Sequence, residues 1–243
     1  VEYDPPPSLQ RGRIGKGETM PKPSKVCANI YAIGGSGLSD PYDCAVYLIA
    51  AGDELILVDS GAGRSFEKLV ANIRALGFNP EQIKAVLVTH AHIDHIGALG
   101  RFRDAYGARI IAHELDAESI ERGTNVGAEA YGIPYEPSPV DMRLSGDHHT
   151  LTFGGKEIQV IHIPGHTPGS IAAYLDTAEG RVLFGQDIHG PYLPEWGADR
   201  RKARTSLEKL IALRADILCE GHFGVYRPAA AVEKYIRGYL KSL

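Results

Sequence analysis

The residues best suited to chemistry fall in one short run, His90-Ala91-His92-Ile93-Asp94-His95, with four metal-competent side chains in six positions. An apolar segment, Ala85 to Val88, leads into it and reads as a buried strand. Along an extended chain, residues at i and i+2 point the same way, so His90 and His92 can share one ion. Asp94 continues that side. His95 opens a helical pattern through Ile96, Leu99 and Phe102 that can swing its ring toward a second ion. Neutral imidazole and carboxylate are the ligands that suit zinc and related divalent metals. A lone histidine is usually a satisfied polar side chain. His-x-His-x-Asp-His directly after a strand is a ligand set.

The other candidates share this arrangement. Four times an apolar strand runs into a loop that carries His or Asp: at 89–95, at His166 in Gly165-His166-Thr167-Pro168-Gly169, at Asp187 after Phe184-Gly185-Gln186, and at His222 after Glu220-Gly221. Strand ends collected along one sheet edge make a site.

The elements that must position these residues can be read in outline. Strand-like runs cover 29–33, 44–50 and 54–59, the last two flanking the turn signal Ala51-Gly52-Asp53. Asp59-Ser60-Gly61-Ala62-Gly63 follows, a small-residue loop that either brings backbone close to a ligand or makes a tight turn. It lacks the Gly-Lys-Ser/Thr of a phosphate-binding loop. Phe66, Leu69, Val70, Ile73 and Leu76 line one helical face, with Ser65 in the N-cap region and Gly77 at the stop. A strand over 84–89, a helix near 96–105, a strand over 109–112 and a short helix over 114–121 come next. The rest of 113–147 is irregular and reads as a functional loop, in which Tyr131 and Tyr135 either line a pocket or pack the loop onto the core. Strands are expected over 150–153 and 157–163, joined at Gly154-Gly155, and over 170–175, 181–184 and 215–219. Helices are expected over 203–213 and 228–242. Residues 1–25, rich in Pro, Gly and charge, read as an arm ahead of a single domain over 26–243.

Composition narrows the function. The 243 residues are 44% hydrophobic and 23% charged, with a net charge of −4, the balance of a soluble globular protein. The negative charge argues against nucleic acid as a partner, no apolar run is long enough to span a membrane, and the N-terminus carries no signal-peptide pattern. Cys27, Cys44 and Cys219 are odd in number and widely spaced, which does not suit a disulfide framework and makes the cytoplasm the expected location.

Together and in this order the motifs resemble the metallo-β-lactamase superfamily. The residues that carry the resemblance are Asp59 in Val58-Asp59-Ser60-Gly61, the run His90 to His95, His166 in Gly165-His166-Thr167-Pro168-Gly169, Asp187 in Phe184-Gly185-Gln186-Asp187, and His222 in Gly221-His222. The match covers about residues 26 to 225. The resemblance implies an α/β fold, an αββα sandwich of two mixed β-sheets with helices on the outer faces. It implies two divalent ions, zinc first, with iron or manganese as alternatives. His90, His92 and His166 would hold one, Asp94, His95 and His222 the other, and Asp187 would bridge them. Asp59 would orient a ligand histidine. Two such ions lower the pKa of a shared water, and the resulting hydroxide attacks a polarised carbonyl or phosphoryl group. Asp94 could also orient that nucleophile or pass a proton. Of the other histidines, His113, His148, His149 and His162 read as surface or strand positions, while His189, two residues beyond Asp187, could reach substrate.

Superfamily membership fixes machinery and not substrate. True β-lactamases fit poorly, because zinc-type lactamases lack a carboxylate where Asp187 stands. Glyoxalase II proteins carry a C-terminal helical domain, and this chain ends 21 residues after His222. The RNA-cleaving branches carry extra motifs that are not seen, and flavodiiron proteins have Glu where His92 stands. Persulfide dioxygenases use one iron and carry Gly-Cys-Gly-Arg where this chain reads Ile188-His189-Gly190-Pro191. The expectation is a stand-alone hydrolase of esters, lactones or thioesters, similar to the lactonase and small thioesterase branch. Weak phosphodiester or β-lactam turnover is compatible with it, and a mononuclear iron dioxygenase is the alternative. Related lactonases use a Tyr shortly after the bridging Asp to polarise the carbonyl. Tyr192 stands five residues on, at longer than the usual spacing, and either plays that part or packs its loop. The partner expected is a small-molecule substrate, with a homodimer as the assembly.

Overall fold

Tyr47, Ile49 and Ala51 alternate with Leu48 and Ala50 along one short run, and all five are buried. A strand that is apolar on both sides has to be covered on both. The computed structural model, which describes residues 22–243, shows what covers it.

One sheet has seven strands in chain order: β1 Ser24–Cys27, β2 Ile30–Ala32, β3 Tyr47–Ala51, β4 Glu54–Val58, β5 Ile83–Leu87, β6 Arg109–His113 and β7 Met142–Leu144. Pairing is antiparallel from β1 to β4 and parallel from β4 to β7. The other sheet has six: β8 His148–Phe153, β9 Lys156–His162, β10 Ile171–Thr177, β11 Gly180–Gln186, β12 Ile217–Glu220 and β13 Val225–Tyr226, in the order β13-β12-β11-β10-β9-β8. Only its β11–β12 pair is parallel. Both sheets are therefore mixed.

Side-chain alternation sorts the core into layers. Tyr47, Ile49, Ile56, Val58 and Leu87 meet Leu151, Val160, Ala173 and Phe184 between the sheets. Leu48, Leu57 and Val86 face outward, against Leu69 and Ile73 of helix α1 (Phe66–Ala75), Phe102 of a later helix, and Ile120. On the far side Ala172, Leu183 and Leu218 pack against Leu207, Leu210, Val232 and Ile236. The result is the αββα sandwich.

Two short helices follow β5: α2 Ile93–Ile96 and α3 Leu99–Tyr106. The single helix expected near 96–105 is thus broken. A Cβ on Gly97 would lie 2.2 Å from the Ala62 carbonyl carbon, so backbone from the Asp59–Gly63 loop packs against the chain there. Helices α4 Glu114–Arg122 and α5 Ala128–Tyr131 lie between β6 and β7, and α6 Arg200–Ala212 and α7 Ala229–Leu240 complete the outer layer.

Several boundaries differ from the sequence reading. Residues 24 and 25 belong to β1 and not to the arm, while residues 1–21 of the arm lie outside the described residues. β7 and β13, of three and two residues, are too short to show a period. Ser65 gives α1 no side-chain cap, because its hydroxyl donates to Asp43 at 2.5 Å.

Candidate metal centre

The parallel strands β4 and β5 end side by side and deliver the first motif. Asp59, just past β4, adopts φ 63°, a conformation uncommon for a residue with a Cβ. Its carboxylate accepts the Thr89 amide and the Thr89 hydroxyl, each at 2.8 Å, and faces His95 Nδ1 at 2.8 Å. Asp59 thereby fixes the exit of β5 and holds the His95 ring with Nε2 turned inward. Short helix α2 places Asp94 and His95 one after the other, both buried.

The described residues form two abutting clusters. In the first, ligand atoms of His90, His92 and His166 lie within 4.8 Å of one another, with His90 Nε2 3.0 Å from His92 Nδ1. In the second, Asp94, His95 and His222 converge, with His222 Nε2 3.1 Å and His95 Nε2 3.7 Å from Asp94 Oδ2. Asp187 stands between them. Its Oδ2 is 3.6 Å from His166 Nε2 and 3.3 Å from His222 Nε2, and its Oδ1 is 3.3 Å from His95 Nε2.

These residues fit divalent metal. His92 Nε2, His95 Nε2, both nitrogens of His166 and Asp187 Oδ1 are buried without a hydrogen-bond partner. Leaving such an atom unsatisfied costs about 1–3 kcal/mol. Ligand atoms about 3.4 Å apart are what a tetrahedral ion with bonds of about 2.0–2.1 Å requires.

The charge balance agrees. Burial, joined by neighbouring histidines, lowers the pKa of His90 and His166, and burial lowers His92 to about 4. These rings stay neutral and keep lone pairs to offer. In the second cluster burial is outweighed. His95 is raised by Cys44, Asp187, Asp59 and Asp94, and His222 is raised to about 10 by Asp187 and Asp94. Asp94 falls to about 2, burial being overcome by His95 and His222, and Asp187 is lowered by His222 and His95. Two carboxylates buried this deeply demand positive charge, which protons or cations can supply.

Side chains outside the motifs hold the loops in place. Asp116, at the start of α4, is buried and accepts the Ala91 amide at 3.0 Å, the Thr167 hydroxyl at 2.6 Å and the Gly169 amide at 2.7 Å. It ties the loop of His90 and His92 to the loop of His166. Glu220, fully buried, accepts the amides of His222 at 2.7 Å and Phe223 at 2.8 Å and meets His189 Nδ1 at 2.9 Å. A Cβ at Gly221 would lie 2.1 Å from Asp187 Oδ1, so only glycine lets that carboxylate in.

The other candidates fall around this centre. His189 shares a cluster with Asp187 and His222. The Tyr192 ring sits 6.0 Å from the His166 ring, and its hydroxyl donates to the Ile188 carbonyl at 2.9 Å, so its proton is engaged there and is not offered to a substrate carbonyl. Tyr131 lies beside Asp94, and burial with the charges of Asp94 and Asp187 raises its phenol pKa. The Tyr135 hydroxyl donates to the Ile120 carbonyl, packing its loop onto α4. His113 and His162 stack at 3.9 Å, away from the ligand clusters, and His162 Nε2 donates to the Pro168 carbonyl at 2.9 Å. His148 and His149 lie on β8. Sequence reasoning passed over Asp116 and gave Glu220 no role, while Trp196, near Tyr192 in the sequence, has its ring 5.0 Å from that of His92. No local pattern marks Asp116, whereas Glu220 stands two residues before a ligand.

Comparison with known proteins places these features in a family. A family model described as the metallo-beta-lactamase superfamily matches residues 39–222. The probable metallo-hydrolase YqgX of Bacillus subtilis is 29% identical over 189 residues, 75% of this chain and 86% of its own length. The hydroxyacylglutathione hydrolase GloC of Haemophilus influenzae is 27% identical over 170 residues, 68% of this chain and 78% of its own. Among solved structures, the class B3 di-zinc metallo-beta-lactamase LRA-12 from an Alaskan soil metagenome superposes with a TM-score of 0.74 at 27% identity, covering 91% of each chain.

Proposed function

The chain belongs to the metallo-beta-lactamase superfamily and is a metal-dependent hydrolase, and from that premise we propose that it uses two divalent ions, zinc first, to hydrolyse a carboxylic ester, lactone or thioester. The observation that carries the two-ion reading is the placement of Asp187. Its Oδ2 faces His166 of the first cluster and His222 of the second, and its Oδ1 faces His95 of the second, all within 3.6 Å. A carboxylate serving a single ion would not need to face both clusters. The thioester part of the reading is supported by the hydroxyacylglutathione hydrolase among the relatives.

When bound, such ions supply a water of lowered pKa and polarise the substrate carbonyl. The chain's own residues do the rest. His90, His92 and His166 hold one position and Asp94, His95 and His222 the other. Asp59 keeps His95 in the ligating tautomer. Asp94 offers a second oxygen that can orient the attacking water or take its proton. His189, oriented by Glu220, reaches the substrate from the His222 side. The net reaction adds water across the acyl bond. The C–O or C–S bond breaks, the acyl carbon gains oxygen, and the leaving oxygen or sulfur takes a proton.

The test is metal analysis of the purified chain beside an assay panel of a lactone, a thioester, a phosphodiester and a cephalosporin. Two ions per chain with lactone or thioester turnover is the expected result. One iron per chain, with oxygen consumed on a persulfide and no hydrolysis, would replace this reading with dioxygenation.

A further inference from the structure

One histidine outside the seven candidate ligands is held as a ligand is held. His189 Nδ1 meets Glu220 Oε1 at 2.9 Å, as His95 Nδ1 meets Asp59 Oδ2 at 2.8 Å, and both carboxylates are buried. A carboxylate on one ring nitrogen fixes the tautomer and leaves the other nitrogen with a lone pair for a metal. His113, His149 and His162 are held differently, each with Nε2 directed at a backbone carbonyl, of Gly146, Ser145 and Pro168.

His189 also stands in a third triangle of donors. One ligand atom each from Asp187, His189 and His222 lies within 4.8 Å of the other two, as in the two clusters already described. With Nδ1 held by Glu220, Nε2 is the nitrogen that His189 has to give. This triangle is the more open one. His189 and His222 are only partly buried, whereas His90, His92 and His166 are all buried. Phe223, 43% exposed, flanks the His189 ring at 4.7 Å and Tyr239 at 6.4 Å. By contrast, the grouping of Cys44, Asp59 and His95 is wholly buried, and both Asp59 oxygens are engaged by Thr89 and His95.

His222 is committed to the second ion of the proposed pair. Asp187 has lone pairs beyond the two that bridging takes, since a carboxylate offers about four. An ion at His189 would draw on His189 Nε2 and one Asp187 oxygen, fewer protein ligands than either member of the pair has, and it would feel the charge of both. It would bind last and least tightly. Resting on the two-ion hydrolase reading above, we infer that the chain has a third cation position, built on His189 with an Asp187 oxygen, that fills when zinc is in excess and blocks substrate. The block follows from the place of the ring. The nitrogen that reaches substrate is the one the third ion takes.

The experiment uses the full chain and rising free zinc. Equilibrium dialysis with metal analysis is the first readout and needs no turnover. The wild-type chain is expected to take up two ions and then, at higher zinc, a third, while His189→Ala stops at two. Steady-state kinetics is the second readout, on an ester or lactone, because a released thiol would itself bind zinc. When free zinc is about ten times the third dissociation constant, the apparent KM of the wild type should rise about 10-fold by mass action with kcat unchanged. The residual turnover of His189→Ala should stay level over the same range. A wild-type chain that stops at two ions overturns the inference and leaves the two-ion reading standing. The inference also falls if the third ion survives His189→Ala, if it is lost instead from His148→Ala on the exposed start of β8, or if it leaves KM unchanged. A His189→Ala chain that holds one ion overturns it as well, making His189 a ligand of the second ion. One ion per wild-type chain at every zinc concentration overturns the two-ion reading and this inference with it.

Discussion

His189 Nδ1 stands 2.9 Å from Glu220 Oε1, and Glu220 is fully buried. The same carboxyl group accepts the amides of His222 and Phe223 through Oε2. One side chain therefore sets both the loop that carries His222, a candidate ligand, and the ring of the histidine beside it. Orientation of this kind is what a catalytic imidazole needs in order to present its second nitrogen to a substrate.

Replacing Glu220 by Gln keeps the shape and loses the match: its nitrogen either faces the amides of His222 and Phe223 or turns to His189 and no longer accepts from its Nδ1. The expected outcome is a fall in kcat of about 10- to 100-fold. His189→Ala should lower kcat by about 100-fold while two ions per chain remain bound. Metal content measured beside steady-state kinetics distinguishes the roles. Loss of one ion from the His189 variant would make it a ligand and not a group that touches substrate.

Asp187 faces both clusters, so its removal should disturb both. Asp187→Ala is expected to release at least one ion and to reduce turnover close to background, with the circular dichroism spectrum unchanged. Full activity with both ions retained would show that the ligands are wrongly assigned. Chelation of the wild-type chain should lower its Tm, because ions that bind only the folded state stabilise it by mass action.

A contribution to acid sensitivity is expected from the Arg103–Asp141 pair. Arg103 donates to Asp141 at 2.5 Å, and Asp141 also accepts the Ile110 amide at 2.8 Å. Burial opposes the shift, but these bonds hold the Asp141 pKa below its ordinary value. A carboxylate whose folded pKa is lowered contributes stability above its unfolded pKa, and that contribution is lost as pH falls through the folded value. Arg103→Ala should therefore reduce stability at neutral pH by up to about 1 kcal/mol, and the gap should narrow as pH falls below the ordinary carboxylate range. Urea melts in steps from pH 7 into the acid range measure it. A gap that does not narrow at all with falling pH would assign the loss to packing.

The candidate ligands could be picked out because they sit close together in the chain or at strand ends bracketed by Gly, and the structure brings them together. His90, His92, Asp94 and His95 stand out by their spacing. Asp187 and His222 each follow an apolar run. The layered sandwich was expected from the family resemblance, and a run apolar at every position, such as Tyr47–Ala51, agrees with it because such a strand has to be covered on both faces. The break between α2 and α3 was not. It depends on Gly97 meeting Ala62, 35 residues earlier, and nothing in the local pattern announces that approach. Asp116 was equally silent. It reads as an ordinary acid in the first turn of a helix, and its partners Ala91 and Gly169 lie 25 and 53 residues away.

Asp116 yields the prediction with most reach, because it joins two ligand loops without touching any ligand side chain in its hydrogen bonds. Oδ2 accepts the Ala91 amide and the Thr167 hydroxyl, and Oδ1 accepts the Gly169 amide. Asparagine has one acceptor oxygen, so in either rotamer an amide donor is left facing an NH2 group in a buried site. The backbone of one loop must then move. His90 and His92 on one side and His166 on the other would lose their common register, while Asp94, His95 and His222 keep theirs. Asp116→Asn should weaken binding of the ion held by His90, His92 and His166 by about 10- to 100-fold and leave the second ion largely unaffected. Competition with a chromophoric chelator resolves the two affinities. Equal weakening of both would mean that the loops move as one body, and unchanged affinity would mean that the β5 strand end and β9–β10 alone hold the three histidines in place.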